Sequence, residues 1–172
     1  MNPIHRHFRR ASSAVAAFML VALAAACTEN SPSSSADAAN VARVDADLKA
    51  LSQIVVQAQR NSKGTVVGIT KSHCTDCVCR DRDIRKIPDS DPCAAAWLGV
   101  VKSLEGLQNS GTSAKAPVRD PWGSPYALDE NQGESGPAGC TVNDELRSVG
   151  PDGRWGTADD ITIKLPLSAS CP

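Results

Sequence analysis

The sequence predicts an α+β domain: an N-terminal helix packed on a small antiparallel sheet, with a second short helix and disulfide staples. Three observations carry that class. Val44, Leu48, Leu51, Val55 and Ala58 recur at spacings of four, three, four and three, one apolar stripe on a helix from Val41 to about Asn61. Near the C-terminus, Pro125 to Leu128, Leu146 to Val149 and Ile161 to Leu165 read as short strands. After residue 26 the only aromatics are Trp97, Trp122, Trp155 and Tyr126, so the core is thin and needs staples, and seven cysteines are present to supply them.

Residues 1–26 read as an export signal. Arg6, Arg9 and Arg10 give a basic start, and the apolar run from Ala14 to Ala26 is shorter than the roughly 20 residues that cross a bilayer. Leu23-Ala24-Ala25-Ala26-Cys27 resembles the bacterial lipoprotein signal, with Cys27 as the lipidated residue and Ala24 where Leu is more usual. Residues 27–40, rich in Ser, Ala, Asp and Asn, read as a flexible tether, and 41–172 as the globular domain. No acidic residue immediately follows Cys27. In a cell with two membranes the expectation is therefore a lipid-anchored envelope protein at the outer membrane, facing the periplasm, with surface display as the alternative. The first 26 residues hold three of the 18 Lys and Arg and none of the 19 Asp and Glu. The remainder is thus mildly acidic, which argues against nucleic acid as a partner.

Setting Cys27 aside leaves Cys74, Cys77, Cys79, Cys93, Cys140 and Cys171, an even set that in an exported chain reads as three disulfides. Gly64 ends the first helix, and Thr65-Val66-Val67-Gly68-Ile69-Thr70 predicts a strand. His73 and the cysteines beside it offer two other readings: zinc, with Cys93 completing the ligands, or a redox pair at Cys74 and Cys77. The Cys-x-Cys spacing departs from zinc hooks, and no βαβ pattern precedes the pair, so structural disulfides are the expectation. Pro92 and Cys93 start the second helix, which runs to about Gln108 with Trp97, Val100, Val101, Leu104 and Leu107 on one face. Ser110 to Pro117 is a polar loop.

The chain from Asp120 to Ile163 is organised by two stretches. The first is Asp120-Pro121-Trp122-Gly123-Ser124-Pro125-Tyr126, in which the prolines fix the backbone and Gly123 allows a tight turn. The second, Ser148 to Ile161, places Asp152, Asp159 and Asp160 within nine residues, among Gly150, Gly153 and Gly156. Carboxylates brought close repel one another without a counter-ion. Calcium takes roughly 6–8 oxygen ligands from Asp side chains, carbonyls and water. The loop is therefore expected to bind calcium, against the competing reading of a solvated acidic turn offset by Arg154 or Lys164. Its spacing is not that of an EF-hand.

On those residues the chain resembles the C-terminal domain of the major pseudopilin of type II secretion systems. That family carries an Asp-Pro-Trp-Gly-x-Pro-Tyr segment, then a Ser-x-Gly-x-Asp-Gly loop ending in an acidic pair before the last strand. The resemblance implies that Asp152, Asp159 and Asp160 hold calcium, with a helix lying over a small antiparallel sheet. This chain departs from the family at its N-terminus, where a lipoprotein-type signal replaces the prepilin leader and apolar stalk, and in the insert from Ser72 to Cys93. The head is expected without the fibre-forming stalk. A Cys140–Cys171 bridge is expected to tie the Glu130 to Gly139 loop to the C-terminus.

Function follows as an expectation. The chain reads as a non-enzymatic, lipid-anchored, calcium-stabilised envelope protein, bound to the membrane through its N-terminal lipid. A protein partner in a secretion or pilus-like system is expected. The alternative is a general periplasmic or cell-surface calcium-binding module, because Asp-Gly-x-x-Gly-Thr-x-Asp-Asp runs also occur in extracellular repeat proteins; here there is one copy. An enzyme is not expected. His73 is the single histidine beyond the signal, no Gly-x-Ser-x-Gly elbow, phosphate loop or His-Glu-x-x-His is present, and neighbours such as Asp159 and Asp160 would point to opposite faces of a strand.

Overall fold

A computed structural model describes residues 32–108, 115–135 and 140–169. The chain divides into Met1–Asn30 and Ser31–Pro172. The expected signal, the lipidation residue Cys27 and Cys171 all lie outside the described residues. The second unit is α+β: helix α1 (Pro32–Ser62), short helix α2 (Val66–Thr70), helix α3 (Pro92–Glu105), then strands β1 (Ala127–Asp129), β2 (Glu145–Ser148) and β3 (Ile161–Lys164). The strands form one antiparallel sheet in the order β1-β2-β3. Among the described residues, no helix is long and apolar enough to cross a membrane.

The stripe on α1 makes the core. Val44, Leu48, Leu51, Val55 and Ala58 are all fully buried, and they join Trp97, Val100 and Leu104 of α3 with Leu128 and Leu146 of the sheet. Register explains the sheet's share: Leu128 sits opposite Leu146, and Leu146 opposite Ile163, so one cross-strand row faces the helices. Each large apolar side chain so buried contributes about 1.5–3 kcal/mol. Trp97 meets Tyr126 edge to face at 6.3 Å, and the Tyr126 hydroxyl donates to Asp47 Oδ2 at 2.8 Å, fastening the sheet's entry to α1. α3 begins as its sequence directs: Asp91 caps it by accepting from the Cys93 N–H, and Pro92 stands in the first turn.

Three boundaries differ from the sequence reading. The β-branched run at Thr65–Thr70 is a helix rather than a strand. Thr65 Oγ1 accepts from the Gly68 N–H at 3.2 Å, Lys71 closes the turn in the left-handed region, and Val66 is buried. A local cap and one apolar anchor thus outweigh strand propensity in a segment that packs against α1 and α3 rather than beside a strand. α1 starts at Pro32, inside the tether expected over 27–40. Residues 35–39 there are exposed, so the good helix formers Ala36, Ala38 and Ala39 extend it without packing. α3 stops at Glu105, short of Gln108, with Gly106 as its C-cap.

Candidate functional site

Asp120 organises the first stretch. Its Oδ1 accepts from the backbone N–H groups of Trp122 (3.0 Å) and Ser124 (2.9 Å), folding the turn onto itself. Its Oδ2 accepts the Ser148 hydroxyl at 2.7 Å, and Ser148 Oγ in turn accepts the Gly150 N–H at 3.2 Å. Asp120 is 5% exposed and Ser148 fully buried. Burial raises the Asp120 carboxyl above its usual range, against the hydrogen bonds from Ser148 and the turn backbone that favour the ion. One carboxylate therefore joins the Asp-Pro-Trp-Gly turn to the start of the acidic loop.

The loop that follows is closed by its own donors. Asp159 Oδ2 accepts the Asp152 N–H at 3.0 Å and its Oδ1 the Thr157 hydroxyl at 2.5 Å; Asp152 Oδ1 accepts the Arg154 N–H at 2.7 Å. Asp160 Oδ2 accepts both the Gly156 N–H (2.9 Å) and Arg147 Nη1 (2.8 Å). Burial acts to raise the Asp159 carboxyl, but the bonds from Thr157 and Asp152 outweigh it and hold the group below the usual carboxylate range. Gly150, at φ +65°, is required: a Cβ there would run into the Asp159 carbonyl and carboxylate. Arg147 also reaches Glu145 and lies 4.5 Å over the Trp155 ring, so a cation of the protein itself already sits against the loop.

The insert holds the loop from its other side. Ile84 N–H donates to the Gly153 carbonyl at 2.9 Å, and Arg85 Nη1 donates to the Pro151 carbonyl at 2.8 Å. Below them, Cys79, Cys93, Ile84 and Val149 form a second apolar cluster, with Trp155 packed against it. The two disulfides there are Cys74–Cys77 and Cys79–Cys93, so four of the expected disulfide cysteines pair within the insert. Cys140 is also disulfide-bonded; Cys171, its expected partner, lies outside the described residues.

Asp152, Asp159 and Asp160 thus share one loop. Their oxygens are hard donors of the kind calcium takes, and the Asp159 carbonyl and carboxylate both lie against Gly150. The three carboxylates do not gather into a cluster. Among the described residues, one group of three His, Cys, Asp or Glu side chains has all its ligand atoms within 4.8 Å of one another: Cys74, Asp76 and Cys77. Both sulfurs of that group are joined in a disulfide, which leaves a metal only the carboxylate.

Three buried carboxylates were not legible as a set. Glu130 is fully buried and accepts from both the N–H (2.8 Å) and the hydroxyl of Thr75. Asp144, 1% exposed, accepts the N–H groups of Asn131 and Gln132 on Oδ1, both at 2.7 Å, while its Oδ2 has no partner among the described residues. Burial, with the nearby charges of Glu130 and Asp129 adding to it, pushes the Asp144 carboxyl up to about 6. Asp76, also fully buried, is raised by burial despite its pair with Arg80 Nη2 at 2.7 Å. No spacing in the sequence signals the Glu130 contact, since Thr75 and Glu130 stand 55 residues apart.

Comparison with protein-family models, curated proteins and solved structures finds no match for the chain.

Proposed function

We propose that the chain is a lipid-anchored, calcium-stabilised, pseudopilin-like head that docks a protein partner in the cell envelope, as an accessory of a type II secretion or pilus-like system. The observation that carries this reading is the buried Asp120–Ser148 hydrogen bond of 2.7 Å. It joins the two stretches on which the resemblance rests into one unit. The element order supports it too: a long helix, then an antiparallel sheet whose last strand follows an acidic loop.

Asp152, Asp159 and Asp160 would hold the ion, with carbonyl oxygens of the same loop beside them. Bound there, calcium would supply the positive charge that offsets the loop's carboxylates. The chain's own groups do the rest: Arg147 offsets Asp160, and the Ile84 and Arg85 bonds fix the loop's backbone. The role is structural, leaving the surface of the head to bind a protein. Affinity capture with the full lipidated chain from detergent-solubilised envelopes tests the partner. Recovery of a secretion or pilus component is expected; recovery of none contradicts the accessory role and favours the general calcium-binding module.

A further inference from the structure

The two disulfides of the insert are built for different ends. Cys79 and Cys93 are 14 residues apart, 2% and 0% exposed, and packed against Ile84 and Val149. Cys74 and Cys77 are three residues apart, with Cys74 half-buried and Cys77 exposed. Closing so short a loop constrains the unfolded chain less than closing a longer one, so this bond is the weaker staple of the two. Its surroundings are more elaborate than a staple needs. Asp76, fully buried between the two cysteines, places Oδ1 3.1 Å from Cys74 Sγ, while Arg80 holds Oδ2 through Nη2 (2.7 Å) and Nε (3.2 Å). A cleft of about 440 Å³ also opens at Cys74, its wall a mixture of hydroxyl groups (Thr70, Ser72, Thr75, Ser103) and small apolar side chains such as Val78 and Ala95, with no charged side chain. Val78, at its edge, is 47% exposed.

The geometry points to a thiol–disulfide exchange site, in which the Cys74–Cys77 disulfide oxidises a dithiol carried on an uncharged segment of polypeptide. Cys77 is the sulfur attacked, and Asp76 is the proton partner of Cys74. A substrate thiolate attacks Cys77 Sγ; the Cys74–Cys77 bond breaks, and its electron pair leaves on Cys74 Sγ, which takes a proton delivered from solvent by way of the Asp76 carboxylate, whose Oδ1 lies 3.1 Å away. The second substrate thiol, its proton lost to solvent, then attacks the substrate sulfur of the mixed disulfide. Cys77 leaves as thiolate and is protonated by solvent. Two substrate thiols are oxidised to one disulfide, and the protein's disulfide is reduced to two thiols. A disulfide-bearing oxidant restores the pair by the reverse steps, with Asp76 accepting the Cys74 proton. Burial holds the Asp76 carboxyl above its usual range, against the lowering effect of Arg80. The site is independent of the calcium loop and of the proposed partner.

The test uses the oxidised full chain with limiting dithiothreitol, alkylation by iodoacetamide and peptide mapping. Label should reach Cys74 and Cys77 at least about tenfold faster than Cys79 and Cys93, because access to the attacked sulfur sets the rate. Equal rates overturn the proposal. With hydroxyethyl disulfide as probe, Cys74→Ser should form a mixed disulfide at Cys77 faster than Cys77→Ser forms one at Cys74; the opposite order overturns the assigned direction of attack. Asp76→Asn should slow reduction of the pair by about tenfold or more, general acid–base help being typically of that size or larger. Arg80→Ala removes the ion pair but keeps the carboxyl beside Cys74, and should retain most of the rate. No slowing in Asp76→Asn, or equal slowing in both variants, removes Asp76 from the chemistry.

Discussion

In the loop from Gly150 to Asp160, Asp152 and Asp159 are part-exposed and take donors a few residues away, while Asp160, its side chain 8% exposed, also takes Arg147 from 13 residues back. Asp159 takes Asp152 and Thr157, and Asp160 takes Gly156 and Arg147. Around Glu130 and Asp144 the carboxylates are sealed from water and answered by donors that include groups from distant sequence, and Asp144 Oδ2 has no partner among the described residues. The first region can exchange a local donor for a hard cation at small cost. The second cannot change its charge without changing the stability of the fold. Asp120 stands between these cases, buried but fully engaged, and it couples the turn to the loop.

The sharpest way to break this contrast is Asp120→Ala. It leaves the N–H groups of Trp122 and Ser124 and the Ser148 hydroxyl without their acceptor, and should lower stability by about 3 kcal/mol or more in urea unfolding. A loss no larger than that of a typical surface substitution would show that the turn and loop are not one unit.

Asp144 gives the next effect, and its sign is the unusual one for a carboxylate. Its folded-state pKa, about 6, lies above the ordinary 3.8. The folded state therefore holds the proton more tightly. The group penalises folding above pH 6, and that penalty is relieved as pH falls from about 6 towards 4. The relief amounts to roughly 2–3 kcal/mol, in the same direction as Glu130, Asp120 and Asp76, which are raised by burial. Below that window Asp83, held at about 2 mainly by Arg85, works the opposite way as it protonates. Asp144→Asn should raise stability at pH 7 and flatten the rise between pH 7 and pH 4; a wild-type profile that falls over that range contradicts the burial argument.

Arg147→Ala is the smallest expected change, about 1–2 kcal/mol from the lost pair with Asp160 and the lost contact with Trp155. The deficit should shrink when calcium is added, since the ion would replace the missing positive charge. The same deficit with and without calcium, by thermal unfolding, would set the two sources of charge apart.

Much of the fold was legible because it depends on short-range pattern. The α1 stripe is buried at every position the spacing named, and the three strands fall within two residues of their expected ends. The α2 segment is a helix despite its β-branched run, because it packs against α1 and α3 rather than beside a strand and a threonine cap starts it. The early start of α1 rests on alanines whose helix preference is weak evidence by itself. At the candidate site, the acidic loop and its glycines could be read from spacing. Its clamp could not: Ile84 and Arg85 reach Gly153 and Pro151 from an insert far away in sequence. Arg147 escaped notice for the same reason, since nothing adjacent to it predicts that a strand residue will lean over Trp155 and reach Asp160.

The most direct test of the calcium reading is thermal unfolding of the purified full chain with calcium and with chelator, repeated for Asp159→Ala. At a hundred times the dissociation constant, calcium should add about 2.7 kcal/mol to the wild type and almost nothing to the variant. A wild-type melting temperature that is the same in calcium and in chelator would contradict it.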